Sequence, residues 1–346
     1  MAATEKPRKR MPETRRKWLK PSGEGLVEPL SARPGGTLPL TLKPSLEGVN
    51  LTDWAAGNRE LVEAQLLEHG GLLFRGFNLK GVSEFERFVN AVSGEAVEYH
   101  ERSSPRSRVA GNIYTSTDHP PDQHIFLHNE QSYNLTFPLR IFFFCLGPAE
   151  RGGETLLADT RKVYARIPPE TRERLIGGGY MYVRNFGRGF GLTWQTAFQT
   201  MEPSAVERYC REHDIEFEWK GDDLLTTRQV RRLSAAHPRT RETVWFNHAT
   251  FFHVSTLAPD LQRILSDAFG EQDLPNNTYY GDGSPIEPAV MDTLRQAYLQ
   301  ELVTVPLREG DVLMLDNMLA SHGRAPFVGP REVVVGMSEP CSWNEV

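Results

Sequence analysis

The sequence DVLMLDNMLASHGRAPFVGPREVVVGM, residues 311–337, contains two apolar, β-rich runs separated by a segment rich in Gly and Pro. The runs cover residues 311–315 and 331–337, and Val, Leu and Met dominate both of them. Short apolar runs bounded by turn residues are typical of strands buried in a β core. We therefore predict two strands here, and His322 follows the first of them.

Comparable β-rich runs recur along much of the chain, and Gly, Pro or Asn bounds many of them. They cover residues 71–77, 140–146, 154–158, 180–186, 215–219 and 244–252. Strands that alternate regularly with helices would indicate a parallel sheet, but these runs do not alternate with helices in that way. The pattern predicts a mainly β protein with a double-sheet core and helices added outside it.

Apolar residues at helical spacing, together with capping residues, predict five helices. Asn58 and Gly70 are placed to begin and end the first helix, and Ser83 with Glu86 forms the capping-box pattern at the start of the second. The other three are predicted at residues 169–176, 205–212 and 288–302. Because the helices are scattered among the strands, they fit a β core with peripheral helices.

Composition and charge argue against several classes of protein. The net charge of −6 and the pI near 6.0 give no electrostatic reason to expect nucleic acid or an anionic membrane as a partner. The longest apolar run, residues 141–146, is too short to cross a bilayer. Cys145, Cys210 and Cys341 are odd in number and far apart, so they fit neither a disulfide framework nor a zinc site, and a reducing cytoplasm is expected.

The N-terminal segment, residues 1–30, is basic and rich in Pro, and its first twenty residues contain eight Lys or Arg without the apolar stretch of a secretory signal. We predict that this segment is a solvated, disordered tail. A role in recruiting an acidic carrier domain stays open. The chain after it contains no internal repeat and no convincing linker, which predicts one domain, residues 31–346.

His128 and Glu130 are separated by one residue, so an extended backbone would put both side chains on one face, where they could share a metal ion. Ten histidines and 45 acidic residues among 346 positions give roughly one such pair by chance. The pair alone is therefore a weak signal, and a histidine at the surface or at the edge of the core is the alternative.

A third ligand, His322, is available in the opening stretch of sequence. Two histidines and one carboxylate bind one face of Fe(II) and leave positions open for a cosubstrate and O₂, whereas structural zinc sites are closed. The combination of His128, Glu130 and His322 therefore indicates catalysis at an iron centre.

These residues resemble the TauD/TfdA-like, or taurine dioxygenase-like, family of Fe(II)- and 2-oxoglutarate-dependent oxygenases. The resemblance extends from about residue 71 to residue 337 and implies a double-stranded β-helix, or jelly-roll, core. His128 and Glu130 match the ligand pair of the family, and His322 matches its distal histidine. The resemblance implies Fe(II), 2-oxoglutarate and O₂ as the metal, the cosubstrate and the oxidant.

The resemblance also implies that Thr155, in the run GGETLLAD, hydrogen-bonds 2-oxoglutarate and that Arg331 pairs with its distal carboxylate. A planar guanidinium suits this role because it can donate two parallel hydrogen bonds to a carboxylate and stays charged. Taken alone, Arg331 would be an ordinary surface arginine at the start of a strand, and Thr155 a threonine chosen for β propensity. The family assignment depends on the occurrence of all five residues together and in order.

The sequence departs from the taurine-cleaving members of the family. The carboxylate ligand is Glu130 rather than aspartate, as in relatives similar to clavaminate synthase and the arginine β-hydroxylases. Val335 stands where a taurine-type enzyme has a second arginine. Taurine cleavage is therefore not expected. Halogenation is not expected either, because halogenating relatives have a small residue in place of the acidic ligand.

Four further residues are candidates for substrate contacts. Arg324 could hold a substrate carboxylate or could pair with Asp316. Asn129 and Gln131 flank the predicted ligands but could equally stabilise a turn. His100 lies at about the spacing where the family keeps a substrate-binding histidine.

The activity that the resemblance implies is hydroxylation of an unactivated C–H bond of a small molecule. Relatives similar to SyrP-like proteins act on amino acids, so a free or carrier-protein-bound amino acid of a natural-product pathway is the expected substrate. The same oxidation can also give desaturation or cyclisation. A non-catalytic, metal-binding jelly-roll protein is the alternative of a different class, and it would keep the metal ligands without needing Arg331 and Thr155.

Overall fold

The computed structural model describes residues 25–30, 38–97, 101, 106–187, 189–221 and 223–346. The α-helices in these ranges are α1 (Leu51–Gly57), α2 (Arg59–His69), α3 (Gly81–Ser93), α4 (Thr160–Arg166), α5 (Pro169–Gly178), α6 (Trp194–Phe198), α7 (Pro203–Glu212), α8 (Ala249–Phe252), α9 (Pro259–Ala268) and α10 (Pro288–Gln300). The strands are β1 (Val27–Pro29), β2 (Leu40–Pro44), β3 (Gly71–Phe74), β4 (Arg108–Ala110), β5 (Ile113–Thr115), β6 (Ile125–His128), β7 (Thr136–Gly147), β8 (Arg151–Gly152), β9 (Thr155–Asp159), β10 (Tyr180–Phe186), β11 (Glu216–Trp219), β12 (Leu225–Arg231), β13 (Ser234–Ala236), β14 (Thr243–Trp245), β15 (Asn276–Tyr280), β16 (Val303–Val305), β17 (Val312–Asp316), β18 (Ala320–Arg324), β19 (Phe327–Val328) and β20 (Glu332–Ser342).

The larger sheet has eight strands in the order β1, β2, β3, β17, β7, β20, β5, β4. Its longest members, β7 and β20, pair antiparallel along most of their length. Successive side chains of a strand point to opposite faces. Phe142 and Phe144 therefore pack with helices α1–α3 on the outer face, while Ile141, Phe143 and Cys145 point into the layer between the two sheets. This explains why the central strand is apolar at almost every position.

The second sheet has four strands in the order β16, β9, β18, β6. Val305, Leu157 and Ala320 from this sheet belong to the same buried cluster as Leu313 and Ile141 from the larger sheet. The two sheets therefore pack face to face around one apolar layer, which is the double-sheet core that the sequence predicted.

The outer face of the second sheet is covered by the chain between β9 and β16, which contains α4–α10 and a separate sheet with the order β11, β12, β10, β15. Phe126 and Leu156 from the second sheet share a buried cluster with Tyr180, Trp245 and Tyr298 from this segment. Both faces of the second sheet are thus largely shielded from solvent, and polar side chains such as His128, Thr155 and His322 on its strands are buried.

Several predicted boundaries were wrong at helix starts. The capping box does not form, because α3 begins at Gly81 and Ser83 lies inside the helix. Glu84 instead accepts a hydrogen bond from the backbone N–H of Lys80 (2.6 Å). Helix α7 begins at Pro203, two residues before its predicted start, because proline is favoured in the first turn.

The strand predicted at residues 244–252 was also wrong in its second half. Strand β14 ends at Trp245, and residues 249–252 form helix α8. The side chain of Asn247 accepts a hydrogen bond from the backbone N–H of Ala249 (3.0 Å), which turns the chain into the helix. The helix predicted at residues 288–302 was two residues too long, because α10 ends at Gln300 and β16 starts at Val303.

Strand β1 lies within the segment that we predicted as a tail, and it pairs antiparallel with β2. The remainder of that segment up to residue 24 lies outside the described residues, and the division into a tail and one domain stays a prediction. Within the described ranges, no helix is both long enough and apolar enough to cross a membrane.

A fully buried ion-pair network lies where β7 and β17 meet. Asp316 pairs with Arg140 and accepts a hydrogen bond from the Nε2 atom of His237 (3.1 Å), and all three side chains are 0% exposed. The other carboxylate oxygen accepts from the backbone N–H groups of Met318 and Leu319 (3.0 Å each). The network therefore fixes the turn that leads from β17 into β18.

Asp316 is held in its charged form by these partners. Burial by itself would raise the pKa of this carboxyl group, but the Arg140 guanidinium and the His237 hydrogen bond outweigh it and lower the pKa to about 2. A carboxyl group whose pKa is lower in the folded state stabilises the fold above its unfolded pKa, and the stabilisation is lost as the pH falls toward the folded value.

We expect Asp316→Asn to lower the free energy of unfolding by about 1.5–3 kcal/mol at pH 7, because the buried Arg140 loses its one fully buried carboxylate and keeps only the partly exposed Glu63 and Glu339 as partners. The deficit should shrink as the pH falls from about 4 toward 2, and urea denaturation at a series of pH values measures it. Asp260→Asn, which removes an exposed pair with Arg263, is the control and should change stability by less than about 1 kcal/mol. If the loss of unfolding free energy in Asp316→Asn is the same at pH 3 and pH 7, the result would contradict the lowered pKa of Asp316.

Candidate active site

Three buried side chains that can bind a metal meet between β6 and β18. His128 is the last residue of β6, Glu130 lies in the following turn, and His322 lies in β18 directly opposite His128 in the antiparallel register. One ligand atom from each lies within 4.8 Å of the others, and the two imidazole rings are 4.5 Å apart. The exposed fractions are 8%, 2% and 5%. The structure thus brings together the three residues that the sequence singled out as ligands.

The strand pair allows this approach because a glycine follows His322. A Cβ atom at Gly323 would lie 2.5 Å from the carbonyl oxygen of Ile125, closer than real Cβ contacts allow. Only glycine therefore lets β18 run this close to β6, and the register between the strands shifts immediately after His322.

The hydrogen bonding and burial of the imidazoles suit metal binding. The Nδ1 atom of His128 lies 2.9 Å from the carbonyl oxygen of Phe126, so Nδ1 carries the proton and the lone pair of Nε2 is left for a ligand bond. Burial lowers the pKa of His128, and burial together with the charges of His128 and Arg106 lowers the pKa of His322 well below its usual range. Both rings are therefore neutral at physiological pH, as metal ligands must be.

Arg106 contacts the third ligand and was not identified from the sequence. Its Nη2 atom donates a hydrogen bond to Oε2 of Glu130 (2.6 Å), and the two side chains are 5% and 2% exposed. A charge-assisted bond of this length fixes the orientation of the carboxylate. No motif marks Arg106, because the contact joins residues 24 positions apart, and β4, β5 and β6 lie between them.

A cavity opens beside the three candidate ligands. Its lining also includes Arg106, Ser116, Thr117, His119, Ile125, Phe143, Thr155, Phe251, Gly323, Arg324 and Arg331. The rings of Phe251 and Phe143 lie 4.5 Å from His128 and 5.2 Å from His322. The cavity thus combines apolar walls around the ligands with several cationic groups.

Thr155 and Arg331, the two residues expected to hold the cosubstrate, both line this cavity. Thr155 begins β9 and is 3% exposed. Arg331 precedes β20, and its guanidinium donates to the carbonyl oxygen of Gly153 (3.0 Å) and to Oγ of Ser116 (3.4 Å). It forms no ion pair with any residue that the structure describes, so its charge is available to an anion in the cavity.

Arg324 also lines the cavity, but it is not a partner of Asp316, which was one of the two alternatives. Its guanidinium donates to the carbonyl oxygens of His119, Pro120 and Gln123 at 2.6–3.2 Å. Burial and the neighbouring Arg331 charge lower its pKa to about 10, so it remains protonated at neutral pH. Its contacts fix the loop between β5 and β6 that forms one wall of the cavity.

Asn129 and Gln131, two of the other candidates for substrate contacts, do not appear among the residues that line this cavity. Asn129 is fully buried and donates to the carbonyl oxygens of Asn317 (2.6 Å) and Ala320 (3.5 Å). Gln131 lines a second cavity elsewhere in the fold. His100 lies outside the described residues, so its predicted role stays a prediction.

The family model described as "Taurine catabolism dioxygenase TauD, TfdA family" matches residues 36–337. The chain belongs to this family. It is an Fe(II)- and 2-oxoglutarate-dependent oxygenase, and the resemblance that the sequence suggested is confirmed.

Relatives of the TauD/TfdA family at different distances agree with this assignment. The dapdiamide synthesis protein DdaC of Enterobacter agglomerans is 38% identical over 279 residues, which are 81% of this chain and 85% of DdaC. A clavaminate synthase-like protein of Arabidopsis thaliana is 28% identical over 319 residues, which are 88% of this chain and 91% of that protein.

Two solved structures of PvcB also match the TauD/TfdA-family chain. One is from Pseudomonas aeruginosa (TM-score 0.53, 17% identity), and the other is described as an Fe, α-ketoglutarate-dependent oxygenase from an isonitrile synthetic pathway (TM-score 0.52, 16% identity). Each match covers 90% of this chain and 91% of PvcB. At this identity the match supports the fold alone, and it agrees with the predicted jelly-roll core.

We expect His128→Ala to abolish tight binding of Mn(II), used as a redox-stable substitute for Fe(II), because only two of the three ligand atoms would remain. Calorimetric titration under anaerobic conditions measures the affinity. His119→Ala, which changes another histidine of the same cavity outside the ligand cluster, serves as the control and should bind Mn(II) like the wild type. Equal affinities of His128→Ala and the wild type would remove His128 from the ligand set.

Proposed function

We propose that this oxygenase holds Fe(II) through His128, Glu130 and His322, binds 2-oxoglutarate with Thr155 and Arg331, and hydroxylates a C–H bond of an amino acid or a similar small molecule. The observation that carries the proposal is the convergence of the three buried ligands at the edge of a cavity that also contains an arginine without an ion-pair partner among the described residues. Two histidines and one carboxylate leave metal positions open on the side of the cavity.

Arg331 supports the cosubstrate part of the proposal. A guanidinium buried beside a cavity without a carboxylate partner is costly unless an anion occupies the cavity. Burial lowers the pKa of Arg331, but the group stays charged at any working pH. The distal carboxylate of 2-oxoglutarate would neutralise it, and the Thr155 hydroxyl would donate one more hydrogen bond.

Bound iron and 2-oxoglutarate supply O₂ activation coupled to oxidative decarboxylation, so that one O₂, one 2-oxoglutarate and one substrate C–H bond give succinate, CO₂ and a C–OH group. The residues of the chain position and protect this reaction. Arg106 orients Glu130, and the Phe126 carbonyl orients the His128 ring. Phe143 and Phe251 exclude water from the ligands, which favours oxidation of the substrate over side reactions.

The substrate part of the proposal extends what the relatives suggest. DdaC is named for dapdiamide synthesis and PvcB is described as part of an isonitrile synthetic pathway, so both belong to natural-product routes. We propose by extension an amino acid substrate, either free or loaded on a carrier protein. Desaturation or cyclisation of the same substrate would need no different residues at the metal.

The competing proposal is a metal-binding jelly-roll protein without turnover. Anaerobic addition of 2-oxoglutarate to the Fe(II) protein should produce a visible charge-transfer absorption band, because the cosubstrate chelates the metal. A screen of free and carrier-loaded amino acids should then find substrates that stimulate succinate release. Absence of the band at saturating Fe(II) and 2-oxoglutarate would favour the non-catalytic alternative. A band without any stimulated succinate release would instead argue against the screened amino acids as substrates.

Arg331→Lys should raise the KM for 2-oxoglutarate about 10- to 100-fold, because lysine keeps the charge but cannot donate two parallel hydrogen bonds to the carboxylate. Succinate formation at varied 2-oxoglutarate measures it. Arg324→Lys is the matched control, since Arg324 lies in the same cavity but its hydrogen bonds go to backbone carbonyls. An unchanged KM in Arg331→Lys, or an equal rise in both variants, would argue against the role of Arg331.

A further inference from the structure

The side chain of Asn317 binds both backbone polar groups of Glu130. Its Oδ1 atom accepts a hydrogen bond from the backbone N–H of Glu130 (2.8 Å), and its Nδ2 atom donates to the carbonyl oxygens of Glu130 (2.9 Å) and Pro138 (2.8 Å). Asn317 is 0% exposed. One amide therefore fixes the peptide groups on both sides of the Glu130 Cα atom.

Asn317 is itself held in place from several directions. Its backbone N–H donates to the carbonyl oxygen of Leu139 (2.9 Å), and its carbonyl oxygen accepts from the Nδ2 atom of Asn129 (2.6 Å). The preceding residue, Asp316, binds the N–H groups of Met318 and Leu319 in the same turn. The amide thus has little freedom to move away from Glu130.

The position of Asn317 in the chain relates its contacts with Glu130 to His322. It lies five residues before His322, in the turn that connects β17 to β18. The Asn317 amide is consequently a short physical link between the strand that carries one imidazole and the turn that carries the carboxylate. His128 needs no such link, because β6 and β18 pair directly.

We propose that Asn317 is a positioning residue that sets the distance between the Glu130 carboxylate and the His322 imidazole before the metal binds. The inference rests on the proposed function, because it takes these residues as metal ligands. Replacing a residue that hydrogen-bonds to a metal ligand and orients it typically changes the metal affinity about 10- to 100-fold. Arg106 orients the carboxylate of Glu130, whereas Asn317 orients its backbone.

Asn317→Asp separates the roles of the amide atoms with a minimal change in size. The variant keeps an acceptor for the N–H of Glu130, but it replaces the donor with an oxygen that faces the carbonyl groups of Glu130 and Pro138. That repulsion should displace the Glu130 turn relative to His322. A purely structural role would lower stability without a specific effect on the metal.

Asn185 offers a matched control in a different sheet. Its Nδ2 atom donates to the carbonyl oxygens of Gln272 (3.0 Å) and Leu274 (2.7 Å), and its Oδ1 atom accepts from Oγ1 of Thr226 (2.7 Å). Like Asn317 it is buried, and its amide makes two donor bonds and one acceptor bond. Asn185→Asp therefore introduces the same repulsion without touching the metal ligands.

The experiment measures the Kd of Mn(II) from the free-ion signal in electron paramagnetic resonance, and the Tm, for the wild type and both variants. We expect both substitutions to lower the Tm, and only Asn317→Asp to raise the Kd, by about 10- to 100-fold. An Asn317→Asp variant that is folded and binds Mn(II) as tightly as Asn185→Asp would overturn the proposal. If Asn317→Asp does not fold, Asn129→Ala, which removes the bond that braces the Asn317 carbonyl, should raise the Kd in the same direction, and an unchanged Kd would overturn the proposal equally.

A double-mutant cycle tests whether Asn317 acts through Glu130. In a Glu130→Ala background, Asn317→Asp should cause little further loss of Mn(II) affinity, because the displaced carboxylate is already absent. Full additivity of the two losses would overturn the proposal. The proposed function fails separately if Glu130→Ala and His128→Ala alone leave the Mn(II) affinity unchanged, a result that does not depend on Asn317.

Discussion

The antiparallel pairing of β6 with β18 determines the geometry of the site, because it places His322 directly opposite His128. Residues that face each other on antiparallel strands have Cα atoms only about 5 Å apart, so two imidazoles in register can reach one ion. A slip by one residue would turn His322 to the other face of the sheet. The pairing is in turn kept in place by the apolar layer between the sheets and by Gly323, where the two backbones come closest.

The two kinds of candidate ligand differ in how the fold accommodates their burial. For His128 and His322 burial lowers the pKa and leaves the rings neutral, which suits metal binding without further partners. Glu130, in contrast, is paired within the fold with the Arg106 guanidinium, which compensates the buried charge of the carboxylate. Three guanidinium groups and one carboxylate line the cavity, so its electrostatic potential favours an anionic cosubstrate such as 2-oxoglutarate.

The parts of the structure that were predicted from the sequence are those with a local signal. Strand β10 was predicted with its observed bounds because Gly179 and Gly187 flank an alternating run. His128, Glu130 and His322, which the structure brings together, could be proposed as ligands from the sequence because few residue types bind Fe(II) and the spacing of His128 and Glu130 fits one face of a strand. Helix α8 was missed because aromatic residues favour strands, whereas the Asn247 side chain starts a helical turn there.

The missed contacts are those that join distant segments. Arg106, Phe251 and Asn317 reach the candidate ligands from three different segments of the chain, and no periodicity or motif relates any of them to His128 or His322. The strand pairing can be inferred once a fold is assigned. Which side chain contacts and orients a ligand residue depends instead on the exact path of the loops. Sequence therefore identifies the donor atoms of such a centre, while only the fold identifies what holds them.

Val335, at the position where the sequence comparison expects a second arginine in taurine-type enzymes, has an apolar environment. Val335 is fully buried in the layer between the sheets and pairs in register with Phe143 and Tyr114. An arginine there would need an anion to compensate its buried charge. Val335 is not among the described residues that line the cavity, and the guanidinium groups that do line it belong to Arg106, Arg324 and Arg331.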